Sequence, residues 1–371
     1  MYLKKTARIS ALAGELSFVC IAPENRGKEK IMSVDIKTFG LTGDGREVRQ
    51  FIISAGNDIR VSLIEIGACI QSLWVRDRQG DMRDVVLGYG TVGEYEDNPS
   101  FFGAALGRLI SRMPDCTLHF EGRDYPLDNV DGMHMHGGVK GFSRVKWDGA
   151  VTGENQVRFT YVSPDGEEGY PGWVTARISY TLDEEGLTID YNMSSDRPTV
   201  INPSNHSYFN LSGHDSGDIR SHIMSCPVIG SFNQLTEESG PLMEGTDLNS
   251  PQVLGELFDR CYPSLEEMGG GLDHKFILAQ PSGKMKTAGM LYSPDSGIEL
   301  QCTTTMPCVM IYTGNMLRNV PGKGGCMYNK HAGACFETML FSSLHDMYGS
   351  VAVIKPGKEH NSRTRFAFAL R

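Results

Sequence analysis

Five residues scattered along the 371-residue chain have side chains that could carry acid–base or binding chemistry. They are Arg112, His136, His206, Asp273 and Glu337. Glutamate and histidine exchange protons near neutral pH, whereas a guanidinium donates hydrogen bonds and a carboxylate accepts them. Each residue alone also has a structural explanation, such as a turn, an ion pair or a helix cap. Their spacing alone does not show that they belong to one site. The residues around each of them are therefore needed to judge whether they do.

The pair His134 and His136 has the spacing of two metal ligands. On a strand, residues i and i+2 share one face, so two imidazoles could bind the same ion. No carboxylate follows, and the next residues, 137–142, are rich in glycine, which indicates a close approach of the backbone to a neighbour. The sequence therefore favours the absence of a metal, with a two-histidine site as the alternative.

Other motifs with a chemical meaning are weak or absent from the sequence. Residues 88–93 match the pattern G-x-G-x-x-G, but a dinucleotide site needs a helix that opens at the third glycine inside a βαβ unit. Pro99 follows closely, and a helix does not continue past it. The sequence contains no G-x-S-x-G nucleophile elbow and no Walker loop. These motifs give no reason to expect a nucleotide cofactor.

Strands are the elements that must position the five residues. The segments 176–182 and 187–193 both alternate apolar and polar residues, and residues 183–186 between them predict an antiparallel hairpin. Helical spacing is scarce, and the best case is a short helix around 254–258. Further strands are predicted at 48–54, 58–66, 70–75, 84–88, 157–163, 297–304, 308–313 and 364–370.

Many strands with few helices between them predict an all-β protein, a large antiparallel β-sandwich with few short helices. No linker, repeat or shift of composition divides the chain after residue 35, so we expect a single domain over residues 32–371. Residues 1–31 combine a basic start with an interrupted apolar stretch. We expect them to form a loosely ordered extension rather than a signal peptide.

Composition and charge exclude several classes of protein. The chain is 40% apolar and 22% charged, as in globular proteins, and no apolar run is long enough for a transmembrane helix. The net charge of −10, without a basic patch, argues against a nucleic-acid partner. The nine cysteines are odd in number and include no Cys-x-x-Cys pair. They predict reduced thiols in a cytoplasmic protein rather than a disulfide framework or a zinc site.

The surroundings of the five residues resemble the aldose 1-epimerase family, also called galactose mutarotases. The resemblance runs from about residue 39 to the C-terminus, and Asn-His-Ser-Tyr-Phe-Asn-Leu at 205–211 is its most specific block. Several blocks in the family's order argue against chance similarity. The others lie at 67–73, 84–89, 135–142, 147, 163–172, 272–274, 312–315 and 336–338.

The resemblance implies a galactose mutarotase-like supersandwich with a sugar cleft on one face. It also implies interconversion of the α and β anomers of a free hexose, such as galactose or glucose, by ring opening and reclosure. In the family pattern Glu337 is the base, His206 is the acid, and His136 assists beside the ring oxygen. Arg112, Asp273 and His136 match the residues that bind the sugar. No cofactor or metal is implied, because the reaction has no redox or phosphoryl step.

Four positions depart from the family pattern. Ser111 stands where the family commonly has asparagine, and Met306, Met310 and Met339 stand where glutamine is common. A thioether has less hydrogen-bonding capacity than an amide, so these positions leave the preferred sugar open.

Two alternatives to a free-hexose epimerase remain at the level of sequence. An epimerase of a phosphorylated or unusual aldose would need extra arginine or lysine at the cleft mouth, which the sequence cannot place. A sugar-binding or regulatory protein without turnover would not need both His206 and Glu337. In each case the expected partner is a small monosaccharide, without nucleic acid or membrane, and the protein would be a monomer or a homodimer.

Overall fold

The structure, a computed structural model, describes residues 32–113, 115–232, 239–240, 248–260, 265–266, 269–278, 283–340 and 352–371. The extension expected at residues 1–31 lies outside the described residues. The expectation that residues 32–371 form one domain stays a prediction.

Strands dominate the described residues. In the first part of the chain they are β1 (Met32–Leu41), β2 (Glu47–Ala55), β3 (Ile59–Ile64), β4 (Cys69–Arg76), β5 (Met82–Asp84), β6 (Ala105–Leu106), β7 (Arg112–Met113), β8 (Thr117–Phe120), β9 (Arg123–Pro126) and β10 (His134–Met135). The middle part contains β11 (Asp148–Gly153), β12 (Gln156–Ser163), β13 (Val174–Asp183), β14 (Gly186–Ser195), β15 (Thr199–Ile201), β16 (Ser204–Asn205), β17 (Tyr208–Phe209), β18 (Ile223–Ser225), β19 (Val228–Phe232) and β20 (Ser239–Gly240). The last part contains β21 (Gln252–Val253), β22 (Asp273–Leu278), β23 (Lys286–Tyr292), β24 (Ile298–Thr304), β25 (Cys308–Tyr312), β26 (Val320–Pro321), β27 (Met327–Tyr328), β28 (Ala334–Met339), β29 (Ala352–Ile354) and β30 (Glu359–Leu370).

Helices are short in the described residues. The α-helices are α1 (Val92–Asp97) and α2 (Leu254–Arg260), and single 3₁₀ turns occupy Glu167–Gly169 and Lys323–Gly325. The helix predicted around 254–258 is therefore confirmed. Thr91 caps α1, which ends before Pro99 as predicted, and α1 is not part of a βαβ unit. None of these helices is long and apolar enough to cross a membrane.

Three sheets carry most of the strands. The first is a five-stranded meander of β1 to β5, the second has nine strands in the order β11-β12-β13-β14-β30-β24-β23-β18-β21, and the third has six in the order β17-β28-β25-β22-β19-β20. Neighbouring strands in all three sheets run antiparallel. The predicted hairpin is confirmed as β13 and β14, with Leu182 opposite Leu187.

The nine-stranded sheet packs against both of the other large sheets, which makes the fold a sandwich. Phe159 on β12 meets Phe51 on β2 with ring centroids 5.6 Å apart. Phe366 on β30 meets Phe209 on β17 at 4.8 Å. One apolar core includes all four rings, so the prediction of a large antiparallel β-sandwich is correct.

The strand predicted at 84–88 is mostly wrong. Strand β5 ends at Asp84, whose buried carboxylate accepts a hydrogen bond from Leu73 N–H and pairs with Lys323 Nζ at 2.6 Å. Beyond this point the chain leaves the first sheet, and Val86 forms a single bridge to Phe209 in the third sheet. The apolar run that predicted a strand is buried because it crosses between two sheets.

Candidate functional site

Glu337 lies on β28 in the six-stranded sheet, and the alternation of side chains along this strand sets its direction. Phe336 packs into the sandwich core, and the hydroxyl groups of Thr338 and Thr364 are 2.5 Å apart. Glu337 and Met339 point to the opposite face, where both line a cleft of about 240 Å³.

Antiparallel pairing places Asp273 on the same face. Tyr312 on β25 is directly opposite Cys335 on β28, and Asp273 on β22 is directly opposite Tyr312. Directly opposed residues of an antiparallel pair point to the same face. Asp273 therefore lies in the cleft with Glu337 although it is distant in sequence.

Arg112 reaches the cleft from the short pair of β7 and β10, in which it is directly opposite Met135. Its Nη2 donates a hydrogen bond to Oδ2 of Asp273 at 3.2 Å. The guanidinium is partly exposed and the carboxylate is buried. This pair offers donors and an acceptor side by side, as neighbouring hydroxyl groups of a ligand require.

The backbone of His206 is held between β16 and β17. Its N–H donates to the carbonyl oxygen of Ala104 at 2.9 Å, and its own carbonyl oxygen accepts from Gly103 N–H at 3.1 Å. The side chain of the preceding residue, Asn205, donates to the carbonyl oxygen of Gly103. The main chain of His206 and the side chain of Asn205 thus fix the position of the histidine.

Aromatic stacking fixes the imidazole ring of His206. The ring stacks with those of Tyr208 and Phe101, at centroid distances of 4.9 and 5.9 Å. Nδ1 then lies 3.5 Å from the sulfur of Cys335, and Nε2 lies 3.5 Å from Oε1 of Glu337. The imidazole and the carboxyl group form a buried pair at the base of the cleft.

His136 stands at the start of a tight turn after β10. Its φ angle is positive, at 51°, and its N–H donates to the carbonyl oxygen of Ser111 at 3.0 Å. The next residue, Gly137, has a φ of 97°, and a Cβ there would lie 1.7 Å from the carbonyl oxygen of Gly107. The close approach predicted from the glycines is confirmed, and it brings the ring of His136 to within 5.3 Å of that of His206.

A buried carboxylate holds this turn. Glu168 accepts hydrogen bonds from the N–H groups of Val139 at 2.8 Å, Lys140 at 2.8 Å and Gly141 at 3.0 Å. A carboxylate that accepts three backbone donors is a rigid anchor. Glu168 therefore positions the loop that carries His136, without being among the residues that line the cleft.

The two-histidine metal alternative does not fit the structure. His134 uses Nδ1 on the carbonyl oxygen of Asp128 and Nε2 on the hydroxyl of Tyr170, both at 2.5 Å. His136 lies beyond the end of β10, so the two imidazoles do not share a strand face. Among the described residues, ligand atoms of His136, His206 and Glu337 lie within 4.8 Å of one another, which is compact enough to hold an ion. The expectation of no metal stays a prediction.

Burial shifts the pKa values of Glu337 and His206 in opposite directions. Loss of solvent, with a smaller contribution from Asp273, raises the pKa of Glu337 to about 8. Loss of solvent also lowers the pKa of His206 to about 3. The pKa of His136 falls well below its ordinary value because of burial and, to a lesser extent, the nearby His206 and Arg112. At neutral pH, with no ligand bound, Glu337 is therefore a neutral carboxyl group beside a neutral imidazole.

One oxygen of Glu337 has no protein partner among the described residues. Oε2 is buried and makes no hydrogen bond, whereas Oε1 faces His206. Buried polar atoms are nearly always hydrogen-bonded, so an orphan that borders a cleft indicates a position for a ligand group.

Three of the four departures from the family pattern border the cleft. Ser111, Met310 and Met339 line it, while the buried Met306 does not. The structure thus brings the five candidate residues together with three of the four positions at which the sequence departs from the pattern that it resembles.

Sequence reasoning did not single out several residues of the site. Tyr208, Tyr312 and Glu168 lie inside blocks that carry the resemblance, and that was the available signal. Phe101 had none: it contacts both histidine rings from a turn with a φ of 57°, and the guanidinium of Arg144 lies 5.2 Å from its ring centre.

The antiparallel sandwich and the cleft with its buried histidine–glutamate pair define a β-sandwich protein equipped for acid–base chemistry. The family model for aldose 1-epimerase matches residues 49–367. The chain is 35% identical to a galactose mutarotase from Sus scrofa over 351 residues, which cover 92% of this chain and 100% of the relative. It is 35% identical to galactose mutarotase from Homo sapiens, over 91% and 99% of the two chains. The chain belongs to the aldose 1-epimerase family.

Solved structures agree with the fold. Galactose 1-epimerase from Lactobacillus acidophilus aligns with a TM-score of 0.77 at 19% identity, over 91% of this chain and 99% of its own. An aldose epimerase homologue from C. elegans aligns with a TM-score of 0.76 at 23% identity, over 85% and 97%.

Proposed function

We propose that this protein is an aldose 1-epimerase that interconverts the α and β anomers of a free aldose. The observation that carries the proposal is the buried pair of His206 and Glu337, with one orphaned carboxyl oxygen, in a cleft that also holds the ion pair of Arg112 and Asp273. Family membership supports the same reaction. Galactose and glucose are the proposed test substrates.

In the proposed reaction His206 and Glu337 work with one shared proton. When sugar binds, its hydroxyl groups donate hydrogen bonds that stabilise the Glu337 carboxylate, and the proton passes to Nε2 of His206, which is 3.5 Å away in the sugar-free structure. Such contacts often tighten when substrate binds. The carboxylate then takes the proton of the C1 hydroxyl while the imidazolium gives its proton to the ring oxygen, and the bond between C1 and that oxygen breaks.

The open aldehyde then rotates about the bond between C1 and C2 and closes on its other face. In reclosure the imidazole removes the proton from the C5 hydroxyl, and the carboxyl group returns a proton to the oxygen on C1. The pair ends with the proton count with which it began, so the cycle needs no external acid or base. His136 assists beside the ring oxygen, and Arg112 with Asp273 holds the remaining hydroxyl groups.

A phosphorylated aldose is a less suitable substrate for this cleft. Among the described lining residues the cation is Arg112, which is already paired with Asp273. Asp273 and Glu337 place two carboxyl groups in the same cavity. A phosphate dianion there would meet acidic groups without a free positive partner.

A binding protein without turnover is disfavoured by the same pair. Binding alone requires hydrogen-bond donors and acceptors, but it does not require an imidazole and a carboxyl group paired for proton transfer. We further propose a cytoplasmic protein, since all seven cysteines in the described residues are free thiols. A monomer or a homodimer remains the expected assembly.

Polarimetry tests the proposal. Fresh α-D-galactose and α-D-glucose are dissolved separately, and the relaxation of optical rotation is followed with and without protein. The proposal predicts faster relaxation for at least one sugar, unchanged by pretreatment with EDTA because the reaction needs no metal. Relaxation at the blank rate for both sugars would contradict a free-hexose epimerase. Loss of the acceleration after EDTA would contradict the metal-free mechanism.

A further inference from the structure

One side of the cleft, next to Glu337, is built from apolar side chains. Met310 on β25 is directly opposite Glu337, and Met339 is two residues further along β28 on the same face. Both pack with Ile110, and Met135 packs against the same cluster. All four residues line the cleft. We call Ile110, Met135, Met310 and Met339 the methionine wall.

The methionine wall extends from Glu337 to Arg112 along the cleft. Met310 adjoins Glu337 through direct strand pairing, and Met135 is directly opposite Arg112. The next position in the row of Glu337 and Met310 is Lys275, which is buried and is not among the residues that line the cleft. A sugar held between Glu337 and Arg112 would therefore lie along this wall.

The chemistry of the methionine wall opposes a hydroxyl group. A thioether donates no hydrogen bond and accepts one only weakly, and isoleucine does neither. A sugar hydroxyl turned toward the wall loses its water without gaining an equivalent partner. A hydrogen atom or a methyl group at the same position would instead pack against the flexible, polarisable methionine side chains.

The position of Glu337 limits which part of the sugar meets the wall. In the proposed function Glu337 contacts the oxygen on C1, so the nearest other substituents are those of C2 on one side and of C5, across the ring oxygen, on the other. In a hexose these carry the 2-hydroxyl and the 6-hydroxyl. Loss of either hydroxyl gives a deoxyaldose.

We infer that the preferred substrate is a deoxyaldose that lacks the hydroxyl at C2 or C6, and that Met310 and Met339 determine this preference. The inference rests on the proposed function and makes it more specific. An apolar pocket rejects an analogue that merely adds a hydroxyl by at most about a hundredfold. We therefore expect kcat/KM for the better deoxy sugar to exceed that of its parent hexose by roughly ten- to a hundredfold.

The test compares D-galactose with 6-deoxy-D-galactose and 2-deoxy-D-galactose, and D-glucose with its two deoxy counterparts. Each kcat/KM is measured by polarimetry after subtraction of that sugar's own uncatalysed rate, because spontaneous mutarotation differs among sugars. A preference for the 6-deoxy sugars places C6 against the wall, and a preference for the 2-deoxy sugars places C2 there.

Variants connect the preference to the wall. Met310→Gln and Met339→Gln introduce an amide of similar length, which can donate to a hydroxyl and accept from it. We expect either variant to reduce the ratio of deoxy to parent kcat/KM by about tenfold or more. The exposed Met327, outside the cleft, gives a matched control, Met327→Gln, that should leave the ratio unchanged.

The outcomes separate this inference from the proposed function. Acceleration of galactose or glucose that equals or exceeds that of every deoxy counterpart would overturn the deoxyaldose preference and leave the epimerase intact. A preference that survives both glutamine variants would overturn the role of the wall. No acceleration of any of these sugars would overturn both proposals. The ratios in the unmodified protein decide the substrate class even where a variant does not fold.

Discussion

Glu337 and His206 differ from ordinary residues of their types mainly because both are removed from water. Burial penalises a charge on either side chain, which raises the pKa of Glu337 to about 8 and lowers that of His206 to about 3. Neither group is thereby suited to act alone at neutral pH. Together they share one exchangeable proton over the wide pH range between these two pKa values. This singly protonated pair is the form that the proposed reaction uses.

The first prediction is the pH dependence of kcat/KM, which reports the sugar-free protein. Above about pH 8 the carboxyl group loses its proton, so the pair has none to give to the ring oxygen and the rate falls. Toward pH 3 the imidazole gains a second proton, so the pair lacks a base. We expect a broad plateau between these limits, measured by polarimetry with blank subtraction at each pH. A rate that rises through pH 8 would show that ionised Glu337 alone is active and would contradict the shared proton.

The second prediction concerns Cys335, whose sulfur lies 3.5 Å from Nδ1 of His206. Burial raises the pKa of this thiol well above its ordinary value, so it stays neutral. We expect its sulfur to accept a weak hydrogen bond from Nδ1–H of His206. That tautomer leaves Nε2 free to take the proton of Glu337. We expect Cys335→Ala to lower kcat by about three- to tenfold with little change in KM, as loss of a weak hydrogen bond implies.

Cys335→Ser retains an acceptor and serves as the conservative variant, so it should recover most of the rate. A positioning role is tested by ¹⁵N NMR of the labelled imidazole of His206. The fraction of the Nδ1–H tautomer should fall in Cys335→Ala and stay unchanged in Cys335→Ser. If the alanine variant has the same spectrum and the same kcat as the unmodified protein, Cys335 has only a packing role.

At the scale of elements, short turns rather than long strands place the histidines. Glu168 anchors the turn after β10 through three backbone N–H groups. The third prediction is that Glu168→Ala lowers the free energy of unfolding by roughly 1–3 kcal/mol, because three backbone N–H groups, that of the buried Gly141 among them, lose their acceptor. It should also lower kcat/KM by about ten- to a hundredfold, since a shift of about 1 Å in a positioned group can cost that much.

Both effects are measured in one preparation, by urea denaturation and by polarimetry. Glu154→Gln, at an exposed position of the hairpin between β11 and β12, is the control and should change neither. A stable and fully active Glu168→Ala variant would show that the turn keeps its shape without the anchor.

Elements differed in how well the sequence predicted them, and burial explains the difference. The hairpin of β13 and β14 alternates buried and half-buried residues, so its period of two is visible. Strand β28, which carries Glu337, is buried at every position, and β22, which carries Asp273, is buried at all but one. A strand covered on both faces shows no alternation, so neither was predicted as a strand.

The residues of the site also differed in how well the sequence predicted them. The five chemistry-bearing residues were found through their resemblance to a family, and the structure brings all five to one cleft. Phe101 was not found, because a ring that meets two histidines from a turn leaves no periodic signal. The methionine wall became visible only when strand pairing placed Met310 beside Glu337.

At the scale of the whole molecule, a buried lysine connects the first sheet to the segment that follows β26. Nζ of Lys323 donates to the carboxylate of Asp84 at 2.6 Å and to the carbonyl oxygens of Val86 and Gln71 at 2.7 and 3.0 Å. Burial lowers the pKa of Lys323, and the charge of Asp84 opposes that shift. The pair lies where the chain crosses from the first sheet to the third.

The fourth prediction is that Lys323→Ala lowers the free energy of unfolding by about 3–5 kcal/mol, because it leaves the buried Asp84 carboxylate without its cation. Urea denaturation at neutral pH measures the loss, and the exposed Lys330→Ala variant is the control for removal of a lysine. Equal denaturation midpoints for the two variants would mean that the Lys323–Asp84 pair does not contribute to the stability of the fold.

The acid–base role of the His206–Glu337 pair is tested by measuring both the catalysed rate and the sugar binding of Glu337→Gln. The amide keeps the shape of the side chain but cannot exchange the shared proton, so the catalysed rate should fall by about 10²–10⁴-fold. Saturation-transfer NMR should still detect bound sugar, and the exposed control Glu154→Gln should keep its full rate. Loss of turnover with retained binding is the predicted result. A Glu337→Gln variant that accelerates mutarotation as fast as the unmodified protein would contradict the acid–base role of the His206–Glu337 pair.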